Sequence, residues 1–139
     1  MTSISSDEIV PGLAQGSQYG FDPSYDVVVD LTGAHRAVED VISVEWPIVD
    51  GPMPDPAKAR ALGLMVADLV DHGMRVQVLC AAGLNRSGLI VGRALIAIGH
   101  EPKEAIALIR EKRPNALHNE AFVEWLLAEE AGRESMASV

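Results

Sequence analysis

Cysteine is almost missing from this chain: Cys80 is the only one in 139 residues. One thiol excludes an intramolecular disulfide framework and a multi-cysteine zinc site. Basic residues are also short, 11 Lys and Arg against 20 Asp and Glu, for a formal charge of −9. A surface of that sign excludes broad binding to nucleic acid or anionic lipid, while leaving room for one small cationic pocket. No apolar run approaches the roughly 18–20 residues of a membrane helix. The start, Met1-Thr2-Ser3-Ile4-Ser5-Ser6-Asp7-Glu8, lacks the basic residues and apolar stretch of a secretory leader, so a cytoplasmic protein is expected. The four histidines, at 35, 72, 100 and 118, have no paired ligand spacing. Neither Gly-x-x-x-x-Gly-Lys nor Gly-x-Gly-x-x-Gly occurs. No metal and no cofactor is therefore expected.

What is present suits one globular domain, with 48% hydrophobic and 22% charged residues. A chain this long buries roughly 68% of its unfolded surface, enough for a core without staples. Residues 1–7 and the tail 131–139 lack periodicity and are expected to be loose, leaving residues 1–130 as the domain. Ile9 to Gln15 reads as a short edge strand interrupted by Pro11-Gly12. Tyr25 to Leu31 is β-branched and apolar at its centre, as in a buried strand. A short helix over Ala34 to Asp40 and a strand over Ser43 to Pro47 follow. Three prolines and Gly51 make Val49 to Pro56 a loop. Asp55 and Pro56 then cap and open a helix, which Gly73 stops. Arg75 to Leu79 reads as a central strand. Ser87 to Ile98 is apolar nearly all round, as in a helix buried on every side. Further helices run from Pro102 to Pro114 and from about Asn119 to Glu130. The sum is a three-layer α/β fold with a central mixed, mostly parallel sheet of about four to five strands flanked by helices.

One segment carries chemistry. The strand Val76-Gln77-Val78-Leu79 runs into Cys80-Ala81-Ala82-Gly83-Leu84-Asn85-Arg86-Ser87-Gly88 and straight on into the buried helix. A loop from a strand end to a helix start is suited to anions, because its N–H groups converge and the helix dipole adds positive potential. Gly83 allows a turn where a Cβ would clash. Arg86 offers a planar fork for two phosphate oxygens. A thiol at a helix N-terminus beside an arginine is drawn toward the thiolate, the form that attacks. A lone cysteine is more often a small buried hydrophobe. The joint occurrence of Cys, Gly, Arg and Ser between a strand and a helix reverses that reading. A nucleophile, a cradle and a cation together suit cleavage of a phosphate monoester.

Cys-x-x-Gly-x-x-Arg-Ser resembles the signature loop of the cysteine-based protein tyrosine phosphatases, most of all their compact dual-specificity branch. Val10-Pro11-Gly12-Leu13 is similar to that family's opening strand. Arg113-Pro114-Asn115-Ala116-Leu117, with Asn119 and Phe122, resembles its last helix and lead-in. The resemblance implies Cys80 as the nucleophile that forms a phosphocysteine and Arg86 as the ligand of the phosphoryl oxygens. It implies Ser87 as a hydrogen-bond donor to the departing sulfur, and the amides of Ala81, Ala82, Gly83, Leu84, Asn85 and Arg86 as the cradle. The family carries a general acid some thirty residues before its cysteine. Asp50 stands 30 residues before Cys80 in the proline-rich loop, while Asp55, 25 before, is the rival and has a ready role as a helix cap. Where the family usually has His before the nucleophile, this chain has Leu79.

His118, His35 and Arg36 are weaker candidates for the rim of the pocket. Arg93 is expected to pair with a buried carboxylate, Arg110 and Arg113 to be structural or solvated, and His72 and His100 to sit at helix ends. The expected function is hydrolysis of phosphotyrosine, with phosphoserine and phosphothreonine also in range, by a monomeric phosphatase acting on a phosphorylated protein or peptide. The neutral loop side chains and the net charge disfavour polyanionic substrates. Alternatives are a phosphatase of phosphoinositides or nucleotides, a weakened phosphate-binding module, and a sulfur-transfer or arsenate-reducing enzyme.

Overall fold

The computed structural model describes residues 6–130. In chain order they form β1 (Ser6–Val10), β2 (Leu13–Ser17), a 3-10 turn (Gln18–Gly20), β3 (Val27–Asp30), β4 (Ile42–Glu45), α1 (Pro56–Asp71), β5 (Val76–Cys80), α2 (Arg86–Ile98), α3 (Pro102–Lys112) and α4 (Glu120–Leu127). The sheet order is β1-β2-β5-β3-β4. β2, β5, β3 and β4 run parallel, and β1 is antiparallel to β2. This is the mixed α/β sheet that the pattern of apolar segments predicts, with β5 at its centre.

Four local expectations need correction. The stretch Ile9 to Gln15 is a hairpin and not one interrupted strand. Val10 pairs with Leu13 across Pro11-Gly12, and Gly12 turns at a φ of 87°, which a Cβ would oppose. β2 therefore lies inside the sheet, and of the two hairpin strands only β1 is at an edge. Ser6 and Asp7, expected to be loose, belong to β1. No helix forms over Ala34 to Asp40, because tertiary partners hold the segment irregular. Arg36 reaches Asp30 at 2.9 Å, the His35 N–H donates to Glu45 at 3.0 Å, and His35 and Asp40 both have positive φ. The last helix ends at Leu127, short of Glu130. Residues 1–5 and the tail 131–139 lie outside the described residues.

Alternation along β5 decides the layers. Val76, Val78 and Cys80 join Leu13, Val27, Val29 and Leu31 in one cluster with Leu89, Leu95, Ile109 and Phe122 of the helices. Each such aliphatic side chain contributes about 1.5–3 kcal/mol by leaving water. Gln77 and Leu79 point to the other face and are also fully buried. The layer there is built from the 3-10 turn and its flanking loop: Gln77 accepts from Asp22 N at 2.9 Å and donates to the Gly20 carbonyl at 3.4 Å.

Two devices fix the helices. Asp55 caps α1, its Oδ1 accepting from the N–H groups of Ala57 at 3.0 Å and Lys58 at 3.3 Å. α2 is buried from Ser87 to Ala97, including Arg93. As expected, Arg93 pairs with a carboxylate: Glu129 accepts from its Nε at 2.8 Å and also from Arg60 at 2.8 and 3.0 Å. Burial raises the Glu129 pKa, but the two guanidinium groups more than offset it and hold the carboxyl below its ordinary value. His72 caps the end of α1.

Candidate active site

β5 delivers Cys80 to the C-terminal edge of the sheet, and residues 81–85 turn from there into α2. The carbonyls of residues 81–84 all have partners outside the turn. Ala81 O accepts from Gln18 N at 3.4 Å, and Leu84 O from Leu117 N at 3.2 Å. Gly83 O accepts from Gln15 Nε2 at 3.1 Å and from Arg113 Nε at 2.8 Å, and Ala82 O from Arg113 Nη2 at 3.4 Å. In a trans peptide the next N–H lies opposite the carbonyl. The amides of residues 82–85 are thereby turned inward, as an anion cradle requires.

Arg113 is the chief support of this arrangement. It is buried, and its third contact is Asp7 of β1 at 2.7 Å. Sequence reading assigned it a structural or solvated role and missed that it grips the loop. Gly83 has a φ of 73°, and a Cβ on it would sit 2.5 Å from Gly16 C and 2.6 Å from Ser17 N. The loop rests directly on β2.

Cys80 is 2% exposed. Its sulfur accepts from the Ser87 N–H at 3.3 Å and lies 3.2 Å from Ser87 Oγ. These polar partners at the first turn of α2 distinguish it from a cysteine packed only by hydrocarbon. Arg86, half-buried at the same turn, donates from Nη1 to the Ile48 carbonyl at 2.9 Å. That bond ties α2 to the segment that leads into Asp50 and engages one of the five guanidinium hydrogens. Leu79 is a buried strand residue whose N–H and C=O belong to the sheet: its carbonyl accepts from Leu31 N at 3.0 Å.

Asp50 comes to the loop from the other side. Asn85 Nδ2 donates to its Oδ2 at 2.9 Å, and Asn119 Nδ2 to its Oδ1 at 2.8 Å. Burial raises its pKa, but the amides of Asn119 and Asn85 outweigh that, and Arg86 and any charge on His118 act in the same direction. The carboxyl is held below its ordinary value. Asp55, the rival, is occupied as the α1 cap.

The sequence placed Asn85 in the cradle by its backbone; its side chain, 4% exposed for the residue as a whole, also bridges Asp50, His118 and the Asn119 N–H. Asn119 was legible as a helix start, and it does cap α4 through Phe122 N at 3.2 Å. Its second role, on Asp50, lies 69 residues away in sequence and has no local signal. Arg36 stacks on Phe21 with its guanidinium carbon 5.1 Å from the ring centroid, and donates to Gln18 O at 2.6 Å beside the strand ends. His35 is exposed and pairs with Glu45 at 2.9 Å.

A cysteine ending the central parallel strand, under an anion loop that opens a buried helix, defines the α/β cysteine-phosphatase architecture. Human DUSP28 superposes on it with a TM-score of 0.80 over 100% of this chain and 98% of that one, at 19% identity, a likeness of fold. The family model described as dual specificity phosphatase, catalytic domain, matches residues 57–131. The chain belongs to that family. A mouse protein tyrosine phosphatase type IVA 3 is 37% identical over 96 residues, covering 68% of this chain and 54% of the relative. A tyrosine-protein phosphatase of Autographa californica nuclear polyhedrosis virus is 26% identical over 116 residues, 76% of this chain and 69% of the relative. The chain spans about half the length of the mouse relative. Among the described residues no helix is long and apolar enough to cross a membrane.

Proposed function

We propose that this chain is a cysteine-dependent protein phosphatase that hydrolyses phosphotyrosine monoesters, and phosphoserine and phosphothreonine with them, without a cofactor. The observation that carries this reading is the meeting of Cys80 and Ser87 under the inward-turned amides, with Asp50 fastened across the loop by Asn85. Cys80, as thiolate, attacks phosphorus and the ester P–O bond breaks. Asp50 gives its proton to the leaving oxygen. Water then attacks phosphorus, Asp50 takes its proton, and the S–P bond breaks while Ser87 Oγ donates to the departing sulfur. Arg86 and the amides of residues 81–86 hold the phosphoryl oxygens as charge shifts among them. In the protein alone, hydrogen bonds favour the Asp50 carboxylate. A phosphate dianion arriving beside it favours the protonated form, so the acid is loaded together with the substrate.

The neutral side chains of Ala81, Ala82, Leu84 and Asn85 and the charge of −9 support a single monoester on a protein or peptide over a polyanion. The same charge supports a monomer that binds neither nucleic acid nor membrane. A free thiol as nucleophile supports a reducing compartment, the cytoplasm. We take residues 1–130 as the phosphatase domain and 131–139 as a tail.

Cys80→Ser should abolish turnover of a phosphotyrosine peptide while the circular dichroism spectrum stays that of the native protein; turnover near the wild-type rate would sink the proposal. Asp50→Asn should lower kcat by about 10²-fold or more. It should also flatten the limb on which kcat falls as pH rises, since that limb reports loss of the acid's proton in the substrate complex. Asp55→Asn should leave that limb alone; if Asp55→Asn removes it instead, Asp55 is the acid.

A further inference from the structure

His118 plays no part in the chemistry above, yet its ring is held at both nitrogens. Nδ1 lies 3.0 Å from the Asn115 carbonyl, and Nε2 lies 2.9 Å from Asn85 Nδ2. A carbonyl can only accept, so Nδ1 carries the hydrogen and Nε2 is left as an acceptor. The orientation of the Asn85 amide follows independently. The Asn119 backbone N–H, an obligatory donor, reaches Asn85 Oδ1 at 3.0 Å. Nδ2 must then face Asp50 on one side and His118 on the other, and its two hydrogens match two acceptors.

The backbone that brings His118 here is strained. Leu117 adopts a φ of 57°, which costs an L-residue about 1–2 kcal/mol. Partly buried contacts hold it: the exposed Arg110 donates to the carbonyls of Ala116 at 3.2 Å and Leu117 at 2.8 Å, and Leu117 N to Leu84 O at 3.2 Å. Strain that is held in place next to a reacting group marks a position with a task.

We propose that His118 is a positioning residue for Asp50, acting through the Asn85 amide that it fixes by accepting at Nε2. The proposal rests on Asp50 being the general acid. Neutral His118 leaves Asn85 one hydrogen for each partner. Protonated His118 would set two donors face to face. Asn85 could relieve that only by flipping, which would turn its oxygen onto the Asp50 carboxylate and its nitrogen onto the Asn119 N–H. The charged groups around the ring are Asp50 across Asn85, Arg86 at the start of α2, and Arg110 from α3. The Asp50–Asn85–His118 chain is therefore intact only while the imidazole is neutral.

Three measurements test this. Nitrogen-15 NMR of the imidazole should show the Nδ1–H tautomer at neutral pH; an Nε2–H tautomer overturns the proposal whatever the kinetics. The Asp50 carboxyl, followed by carbon-13 NMR, should titrate at higher pH in His118→Leu and as in wild type in His118→Gln, whose amide oxygen replaces Nε2. Identical behaviour of the two variants overturns it. Kinetically, His118→Leu should lose about tenfold in kcat/KM on phenyl phosphate, whose leaving group needs a proton, and much less on p-nitrophenyl phosphate. His118→Gln should restore both, and His118→Leu should add nothing to Asp50→Asn. Equal loss on the two esters, or multiplying losses, refutes a role through Asp50. If Asp50→Asn itself fails to discriminate between the esters, the acid assignment falls, and the NMR arm alone decides the His118 contact.

Discussion

Replacing Gly83 by alanine probes the loop at the point where it touches the sheet. The added Cβ would lie 2.5 Å from Gly16 C, 2.6 Å from Ser17 N and 2.9 Å from Arg113 Nη2. The first two are backbone atoms of β2, which is paired on both sides, so they cannot swing aside as a flexible side chain would. To reach ordinary contact the loop must lift by about 1 Å. Positive φ costs alanine about 1–2 kcal/mol, and overpacking adds about 1–3. A loss near 3 kcal/mol corresponds to a fall in Tm of about 10 °C for a domain of this size. Displacing the cradle by that distance should lower kcat/KM by about 10²-fold. Gly73→Ala is the matched control. Gly73 has a φ of 84° but nothing within 4 Å of the added atom. It should lose about 1 kcal/mol, about 3–4 °C, with activity unchanged. Thermal melts followed by circular dichroism, with p-nitrophenyl phosphate kinetics, give both numbers. Equal melting losses in the two variants, or a Gly83→Ala enzyme as active as Gly73→Ala, would refute the packing of the loop on β2.

Other expectations concern the framework. Glu129→Ala takes this carboxylate away from both Arg60 and Arg93, whose side chain is 0% exposed, and should cost about 3–5 kcal/mol in urea unfolding; a loss under about 1 kcal/mol would show that the ion pair contributes little. Burial raises the Asp30 pKa, but hydrogen bonds from Thr32 and Arg36 outweigh it, and the carboxyl is held below its ordinary value. The stability it confers is present above the unfolded carboxyl pKa of about 3.9 and is lost as pH falls through the lower folded value. Urea midpoints measured down to pH 3 should therefore fall less steeply for Asp30→Asn than for wild type, and parallel curves would refute this.

The parts of the fold read correctly from the sequence were those set by local chemistry. Asp55-Pro56 opens α1, Gly99 ends α2, and the all-round apolar run from Ser87 marks the buried helix. The loop from Cys80 to Ser87 was legible because its members are contiguous. Misreadings arose where distant partners decide. Pro11-Gly12 looked like a break in a strand because only the pairing of Val10 with Leu13 makes it a turn. Ala34 to Asp40 has helical composition, yet Asp30 and Glu45 pull its residues elsewhere. Arg113 and Asn119 act on residues 30 and 69 positions away, respectively, and no spacing rule reaches that far.

The position of β5 also orders events during synthesis. β1 and β2 can zip into a ribbon as soon as they emerge, and β3 can meet β4, but neither ribbon bonds to the other. They are joined only when residues 76–80 slot between them. Until the ribosome has passed Cys80, the first half of the polypeptide carries two unsealed seams. The segment that closes them is the same one that bears the sulfur, so a nascent chain cannot display that sulfur in its working place before the sheet is whole.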